Sequence, residues 1–176
     1  MKIPPEIDHS KQWKYAQIEV ERRFLLDVPP NYLDQLPFKH ITDLYIHATR
    51  LRLRKVVQKT QTQYKLTKKL LLEPENMGRQ WISTLYLSEQ EYLLFATLPG
   101  FELKKKRYRY ESAKEVQIGI DEIQIHQAHL WIAEIEFSDG QKTLDKLPFT
   151  WSREITQEPS FSGFELAKQY AERLSK

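Results

Sequence analysis

The chain contains no cysteine, so disulfides, thiolate zinc sites and cysteine nucleophiles are excluded. Its five glycines are scattered along 176 residues, and neither a Gly-x-Gly-x-x-Gly turn nor a P-loop can be assembled from them. No serine sits in a nucleophile-elbow pattern. No apolar run approaches the roughly 20 residues that a membrane-spanning helix needs. The polar residues 1–11 do not read as a signal peptide, so a cytoplasmic protein is expected. There is no internal repeat and no low-complexity segment. The net charge of +3 is too small to argue for nucleic acid by its sum alone. His126 and His129 stand three apart with no third ligand nearby and read as surface histidines.

What is present suits one folded domain. Apolar residues make up 40% of the chain and charged residues 29%, a globular balance rather than a disordered one. Residues 1–14, with Pro4 and Pro5, read as a loose arm, and 15–176 as a single domain. Alternation of period two predicts strands over about 15–26, 44–57, 61–70, 79–87, 101–111, 115–121, 130–138 and 150–156. Pro29 and Pro30 open a short helix through Leu36. Capping-box patterns at Ser88-Glu89-Gln90-Glu91 and Ser162-Gly163-Phe164-Glu165 predict a helix over 89–98 and another in the tail. The links are too short for parallel crossovers, and an antiparallel sheet of this size closes or packs on itself to remove its edges.

The distribution of charge is more informative than its sum. In the stretch Gln17-Ile18-Glu19-Val20-Glu21-Arg22-Arg23, the side chains of Glu19, Glu21 and Arg23 share one strand face. Two carboxylates about 7 Å apart on one strand suit a hard divalent cation such as Mg²⁺. Later strands repeat the arrangement with the sign reversed: Arg50, Arg52 and Arg54; Lys65 and Lys69; Arg79; Lys105, Arg107 and Arg109. Acids return with Glu115, Asp121, Glu134, Glu136 and Glu154. The plainer arrangement puts the apolar face in a barrel core and the charges in solvent. Two features argue against it. Arg-x-Arg-x-Arg on one strand face repels itself unless an anion neutralises it. Arginine also suits convergence on phosphate, because its planar fork makes two-point contacts. Converging cations beside clustered carboxylates are what a metal-bound polyphosphate requires. The run 104–109, with Tyr108 and Tyr110 interleaved, is the best nucleic-acid candidate, though a solvated strand face accounts for it as well.

These motifs resemble, in chain order from about Ile18 to Ala167, those of the CYTH proteins, the triphosphate tunnel metalloenzymes. The family's Glu-x-Glu-x-Lys is Glu19-Val20-Glu21-Arg22-Arg23 here. Its Arg-x-Arg matches Arg52-Leu53-Arg54, its next lysine Lys69, its Lys-x-Arg-Tyr Lys105-Lys106-Arg107-Tyr108, its strand-ending Asp Asp121, its Glu-x-Glu Glu134-Ile135-Glu136 and its Glu-Val-Thr Glu154-Ile155-Thr156. The resemblance implies a predominantly β fold, a closed eight-stranded antiparallel barrel with the charged face inside as a tunnel and a few short helices around it. It implies Mg²⁺ or Mn²⁺ held by Glu19, Glu21, Asp121, Glu134 and Glu136. Triphosphate would be gripped by Arg52, Arg54, Lys69, Arg79, Lys105 and Arg107, with Glu19, Glu21, Arg23, Glu134 and Glu136 catalytic. The expected activity is hydrolysis of inorganic or organic triphosphate. Adenylate cyclase and a non-catalytic polyphosphate- or RNA-binding module are the alternatives.

The sequence departs from the family at Arg23, where a lysine is usual, because a guanidinium binds but does not serve as a base. It departs also at Trp81 and Ser83, which replace two acids of an Arg-x-Glu-x-Glu strand; Trp81 is expected to stack on a base or narrow the tunnel. Phe161-Ser162-Gly163 replaces a Tyr-x-Asn. The expected partner is a small-molecule triphosphate, with neither nucleic acid nor membrane. Dimers occur in the family, so a homodimer is an open expectation, and no stripe in the sequence marks its interface.

Overall fold

The computed structural model describes residues 14–111, 116–125, 128–137 and 147–174; the expected arm, apart from Lys14, lies outside them, as do Glu115 and His126. The strands are β1 Gln17–Leu26, β2 Phe38–Ile46, β3 Leu51–Gln58, β4 Gln61–Glu73, β5 Asn76–Leu87, β6 Gly100–Glu111, β7 Gln117–Ile125, β8 Ala128–Phe137 and the short β9 Arg153–Glu154. Each pairs antiparallel with its neighbours, in the order β5-β4-β3-β2-β6-β7-β8-β1, and β5 pairs again with β1. Eight strands thus close into a barrel, which leaves no open edge among them. β5 pairs with β1 at residues 17–20, and β9 pairs with β1 further on, at Phe24 and Leu25.

One expected strand, 44–57, is in fact two. The chain reverses at 47–50, where Ala48 takes a φ of 56°. Thr49 stabilises the turn by donating from Oγ1 to the Ile46 carbonyl (2.9 Å) and accepting from the Leu51 N–H (3.0 Å). No Gly, Pro or Asn announces this turn; its trace in the sequence is a change of phase, the apolar residues standing at Leu44 and Ile46 before it and at Leu51 and Leu53 after it. A tight hairpin at 58–61 joins β3 to β4, with Gln58 opposite Gln61 and Lys59 at a φ of 53°. Helix α1, Glu89–Phe95, has both halves of the Ser88 capping box. Helix α2, Gly163–Leu174, starts where Ser162 Oγ accepts from the Glu165 N–H (3.3 Å). The helix expected after Pro29-Pro30 is a single 3-10 turn, Leu33–Gln35.

The apolar alternates face outward and are covered. Phe24, Tyr108, Ile118, Ile120, Ala133 and Ile135 form one cluster on the outer wall of β1 and β6–β8, and Leu33 and Phe149 pack over it. Leu53 and Leu66, on the other wall, pack with Tyr92 and Phe95 from the α1 side. Burying each such aliphatic or aromatic side chain stabilises the fold by about 1.5–3 kcal/mol. Inside the barrel, Leu103, Ile123 and Ile132 meet Leu166 and Ala167 of α2. Helix α2 therefore plugs one end with apolar side chains and leaves the charged interior open toward the other. Gly163 is required at this plug: a Cβ there would lie 1.8 Å from the Tyr45 hydroxyl.

Candidate active site

The strand alternation brings the charged faces together inside the barrel. They line a cavity of about 300 Å³ that includes every expected site residue except Arg79. Carboxylates come from β1, β7 and β8, and cations from β2, β3, β4 and β6, with Arg23 the cation on β1. Because β1 and β2 are four strands apart in either direction around the barrel, the β1 carboxylates face the cationic wall across the cavity.

The charges are held in ion pairs. Arg107 donates to Asp121 from Nε (2.5 Å) and Nη2 (2.6 Å), and also to Glu134 two strands away. It crosses β7 at Gly119, which stands opposite Glu134; a Cβ at Gly119 would come within 3.2 Å of Arg107 Cδ and Nε. Lys105 donates to Asp121 (2.5 Å). Lys69 pairs with Glu19 and lies 3.7 Å from Glu21. Burial favours the neutral acid at Glu134, but Arg107, Lys105, Arg23 and Lys69 overcome it and hold that carboxyl well below the usual range. Burial lowers Lys105, as does the charge of Arg107.

Among the described residues two buried donors lining the cavity have no acceptor: Arg23 Nε on β1 and Arg52 Nε in the cationic wall. Their closest carboxylate oxygens are at 3.4 Å on Glu134 and 3.8 Å on Asp43. A buried unsatisfied donor costs about 1–3 kcal/mol and calls for an explanation. An oxyanion in the cavity supplies one.

The acidic side has the complementary deficit. Glu21 stands directly opposite Glu136, and Glu19 is on the same face of β1. Burial and the charge of Glu19, with a further contribution from Glu21, push the Glu136 carboxyl up, and Lys69 opposes them. Like charges opposite one another on a ladder are unfavourable, and a hard cation with oxygen ligands relieves them. Among the described residues no three acids or histidines are gathered closely enough to hold an ion unaided. The five expected ligands thus separate into two sets: Glu19, Glu21 and Glu136 share one lysine, whereas Asp121 and Glu134 are engaged by Lys105, Arg107 and Arg23.

Comparison with family models and with curated proteins finds no match. Among solved structures, the chain is similar to the inorganic triphosphatase NE1496, at 19% identity and a TM-score of 0.53, over 85% of this chain and 93% of that one. A further structure of NE1496 matches at 21% identity and a TM-score of 0.53, over 85% and 97%. The PH1819 protein from Pyrococcus horikoshii OT3 matches at 18% identity and a TM-score of 0.51, over 89% and 88%. At these identities the likeness is one of fold. The fold is CYTH-like.

Arg79 corrects the expectation for this tunnel. On the β1–β5 ladder Glu19 stands opposite Gln80, and Arg79 opposite Val20. Gln80 therefore shares the inner face with Glu19, while Arg79 points outward and pairs with Glu73 (3.4 Å). Trp81 and Ser83 share the parity of Arg79, so Trp81 does not narrow the CYTH-like tunnel; Gln80, Ile82 and Thr84 face it, and β5 contributes no charge. Arg50 lies in the exposed turn before β3, and Glu154 pairs outside the barrel with Arg22 (2.6 Å). His129 pairs with Glu122 (2.9 Å), as befits a surface histidine.

Asp43 is the main residue that the sequence reading missed. It is fully buried on β2 and accepts from Arg54 Nε (2.5 Å) and Nη2 (2.7 Å). Burial opposes its ionisation, but Arg54 and Arg52 hold its carboxyl far below the usual range. Burial and the Asp43 charge push the neighbouring Tyr45 hydroxyl up to about 12. Lys39, also on β2, lines the cavity too. The signal for both was the alternation Lys39, Ile41, Asp43, Tyr45, which the unrecognised turn at 47–50 obscured.

Proposed function

We propose that this chain is a metal-dependent triphosphatase that cleaves a phosphoanhydride bond of inorganic triphosphate inside the tunnel. The observation that carries this reading is the pair of buried guanidinium donors, Arg23 Nε and Arg52 Nε, that have no acceptor among the described residues, in a cavity lined by converging cations. Arg52, Arg54, Lys69, Lys105 and Arg107 bind the phosphate oxygens, and the ion pairs they now make with Asp43, Glu19, Asp121 and Glu134 keep them aimed inward before substrate arrives. Glu19, Glu21 and Glu136 would hold the Mg²⁺ or Mn²⁺, and Asp121 and Glu134, engaged by Lys105 and Arg107, are the further carboxylates available to it. The bound ion supplies charge neutralisation to the phosphate oxygens. Glu136 orients the attacking water by accepting its hydrogen bond. Arg23 neutralises developing charge and does not act as a base. Catalysis is mostly positioning and electrostatics.

A cavity of about 300 Å³ is at the low end for small-molecule sites, which favours a compact inorganic anion over the nucleotide that a cyclase requires. Glu134→Gln and Glu136→Gln test catalysis against mere binding. A triphosphatase loses phosphate release by about 10²-fold or more in each variant, while tripolyphosphate affinity in chelator is kept or rises. Unchanged turnover in both variants would refute the assignment.

A further inference from the structure

Arg23 carries one of the two buried donors that have no acceptor among the described residues, and its backbone sits at a break in the sheet. On this edge of β1 the pairing with β5 ends at Val20, and the pairing with β9 begins at Phe24. The segment that follows β9 crosses the break. The Ile155 N–H donates to the Arg23 carbonyl (2.8 Å). Thr156 Oγ1 accepts from the Arg23 N–H (3.0 Å), where a regular ladder would use a carbonyl. Thr156 is buried and lines the cavity. Its hydroxyl proton goes to Glu154 Oε1 (2.7 Å), which fixes the rotamer and leaves a lone pair of Oγ1 for Arg23. Glu154 is held in turn by the fork of Arg22, from Nε to Oε1 (3.0 Å) and from Nη2 to Oε2 (2.6 Å). Ile155, fully buried, anchors the segment in the apolar cluster that includes Leu166 and Ala167 of α2.

We propose that Thr156 is a positioning residue: with Glu154 and Arg22 behind it, it clamps the Arg23 backbone at the break and so aims the Arg23 side chain into the cavity. The inference rests on the role given to Arg23 in triphosphate cleavage. Successive strand residues point to opposite faces, so Arg22 outside and Arg23 inside are turned by the same backbone. A rotation of the chain at the break swings both side chains. The Arg22–Glu154 pair opposes it from outside, and the Thr156 bond opposes it from inside. Aim matters because a misplacement of about 1 Å can cost roughly 10²-fold in rate. An exposed ion pair such as Arg22–Glu154 contributes little to stability by itself; its place in a chain of hydrogen bonds that ends on Arg23 gives it a use.

The test is a double-mutant cycle on tripolyphosphate hydrolysis with Mg²⁺, joined to amide hydrogen exchange without ligand. Thr156→Val keeps the shape and removes the hydroxyl; kcat/KM should fall about tenfold, and Thr156→Ser should restore it to within about twofold. Arg23→Gln alone should cost about 10²-fold. In the Arg23→Gln background Thr156→Val should cost less than about twofold, because the group it positions is already gone. A hydroxyl that merely supported the fold would cost the same in both backgrounds. Glu154→Ala, at an exposed position, serves if Thr156→Val does not fold: kcat/KM should drop about fivefold, again only while Arg23 is present. The Arg23 amide should exchange slowly in the wild type and in Thr156→Ser, and at least about tenfold faster in Thr156→Val. Additive losses, no loss in Thr156→Val, or an Arg23 amide that exchanges freely in the wild type overturns the clamp while leaving the triphosphatase standing. Wild-type protein that releases no phosphate overturns the triphosphatase reading; the exchange result, with the same cycle read as tripolyphosphate affinity in chelator, then decides the clamp.

Discussion

Replacing Asp43 by Asn removes one negative charge from beneath the cationic wall at almost no change in shape. Asp43 is fully buried and holds Arg54 in two hydrogen bonds, at 2.5 and 2.7 Å, with Arg52 Nε at 3.8 Å. Breaking a buried pair by neutralising one partner costs about 3–5 kcal/mol, because the other charge stays buried without compensation. Here two guanidinium groups are left so, beside Lys39 and Arg107. For a chain of this size, where each kcal/mol shifts the midpoint by about 2–4 °C, that is a fall of roughly 6–20 °C. Urea titration and thermal melts, with and without tripolyphosphate in chelator, measure it. Ligand at a hundredfold excess over Kd adds about 2.7 kcal/mol to any binder; the concentration needed to reach that rescue should change in Asp43→Asn, because the anion now supplies the missing negative charge. An Asn variant within about 1 kcal/mol of wild type would refute the idea that Asp43 holds the wall together.

Two further outcomes follow from the same geometry. Arg79→Ala should leave triphosphate turnover within about twofold; a loss of tenfold or more in kcat/KM would return Arg79 to the site. The pH dependence has two arms. Asp43 has a folded carboxyl held far below its ordinary value of about 4, so its stabilisation is present above that pH and is lost as pH falls beneath it. Lys39 releases its proton near 8 when folded but near 10.4 when unfolded, so stability rises between those values. Acid and alkaline urea titrations check both arms.

The closed barrel and its charged interior were legible in the sequence because period-two alternation survives in nearly every strand, with acids concentrated on β1 and β8 and bases on β3, β4 and β6. Which face turns inward came from the family resemblance and from the self-repulsion of Arg50, Arg52 and Arg54. The turn at 47–50 went unread, because Ala48 adopts a left-handed conformation that its residue type does not advertise and the trace it leaves is a shift of the apolar positions from Leu44 and Ile46 to Leu51 and Leu53; Asp43 and Lys39 were lost with it. The parity of β5 was not legible either. Arg79, Trp81 and Ser83 alternate as regularly as Gln80, Ile82 and Thr84, and only the pairing of Glu19 with Gln80 decides which set faces the cavity. The outer apolar cover, with Leu33 and Phe149 over one wall and α1 over the other, depends on contacts between residues far apart in the chain.

The central claim is tested most directly by phosphate release from tripolyphosphate, ATP and thiamine triphosphate, each with Mg²⁺, Mn²⁺ or chelator. The account predicts release that needs the metal, is fastest on tripolyphosphate and is abolished by chelator. No release from any of the three, alongside tight triphosphate binding that chelator does not disturb, would contradict it and leave a polyphosphate-binding module.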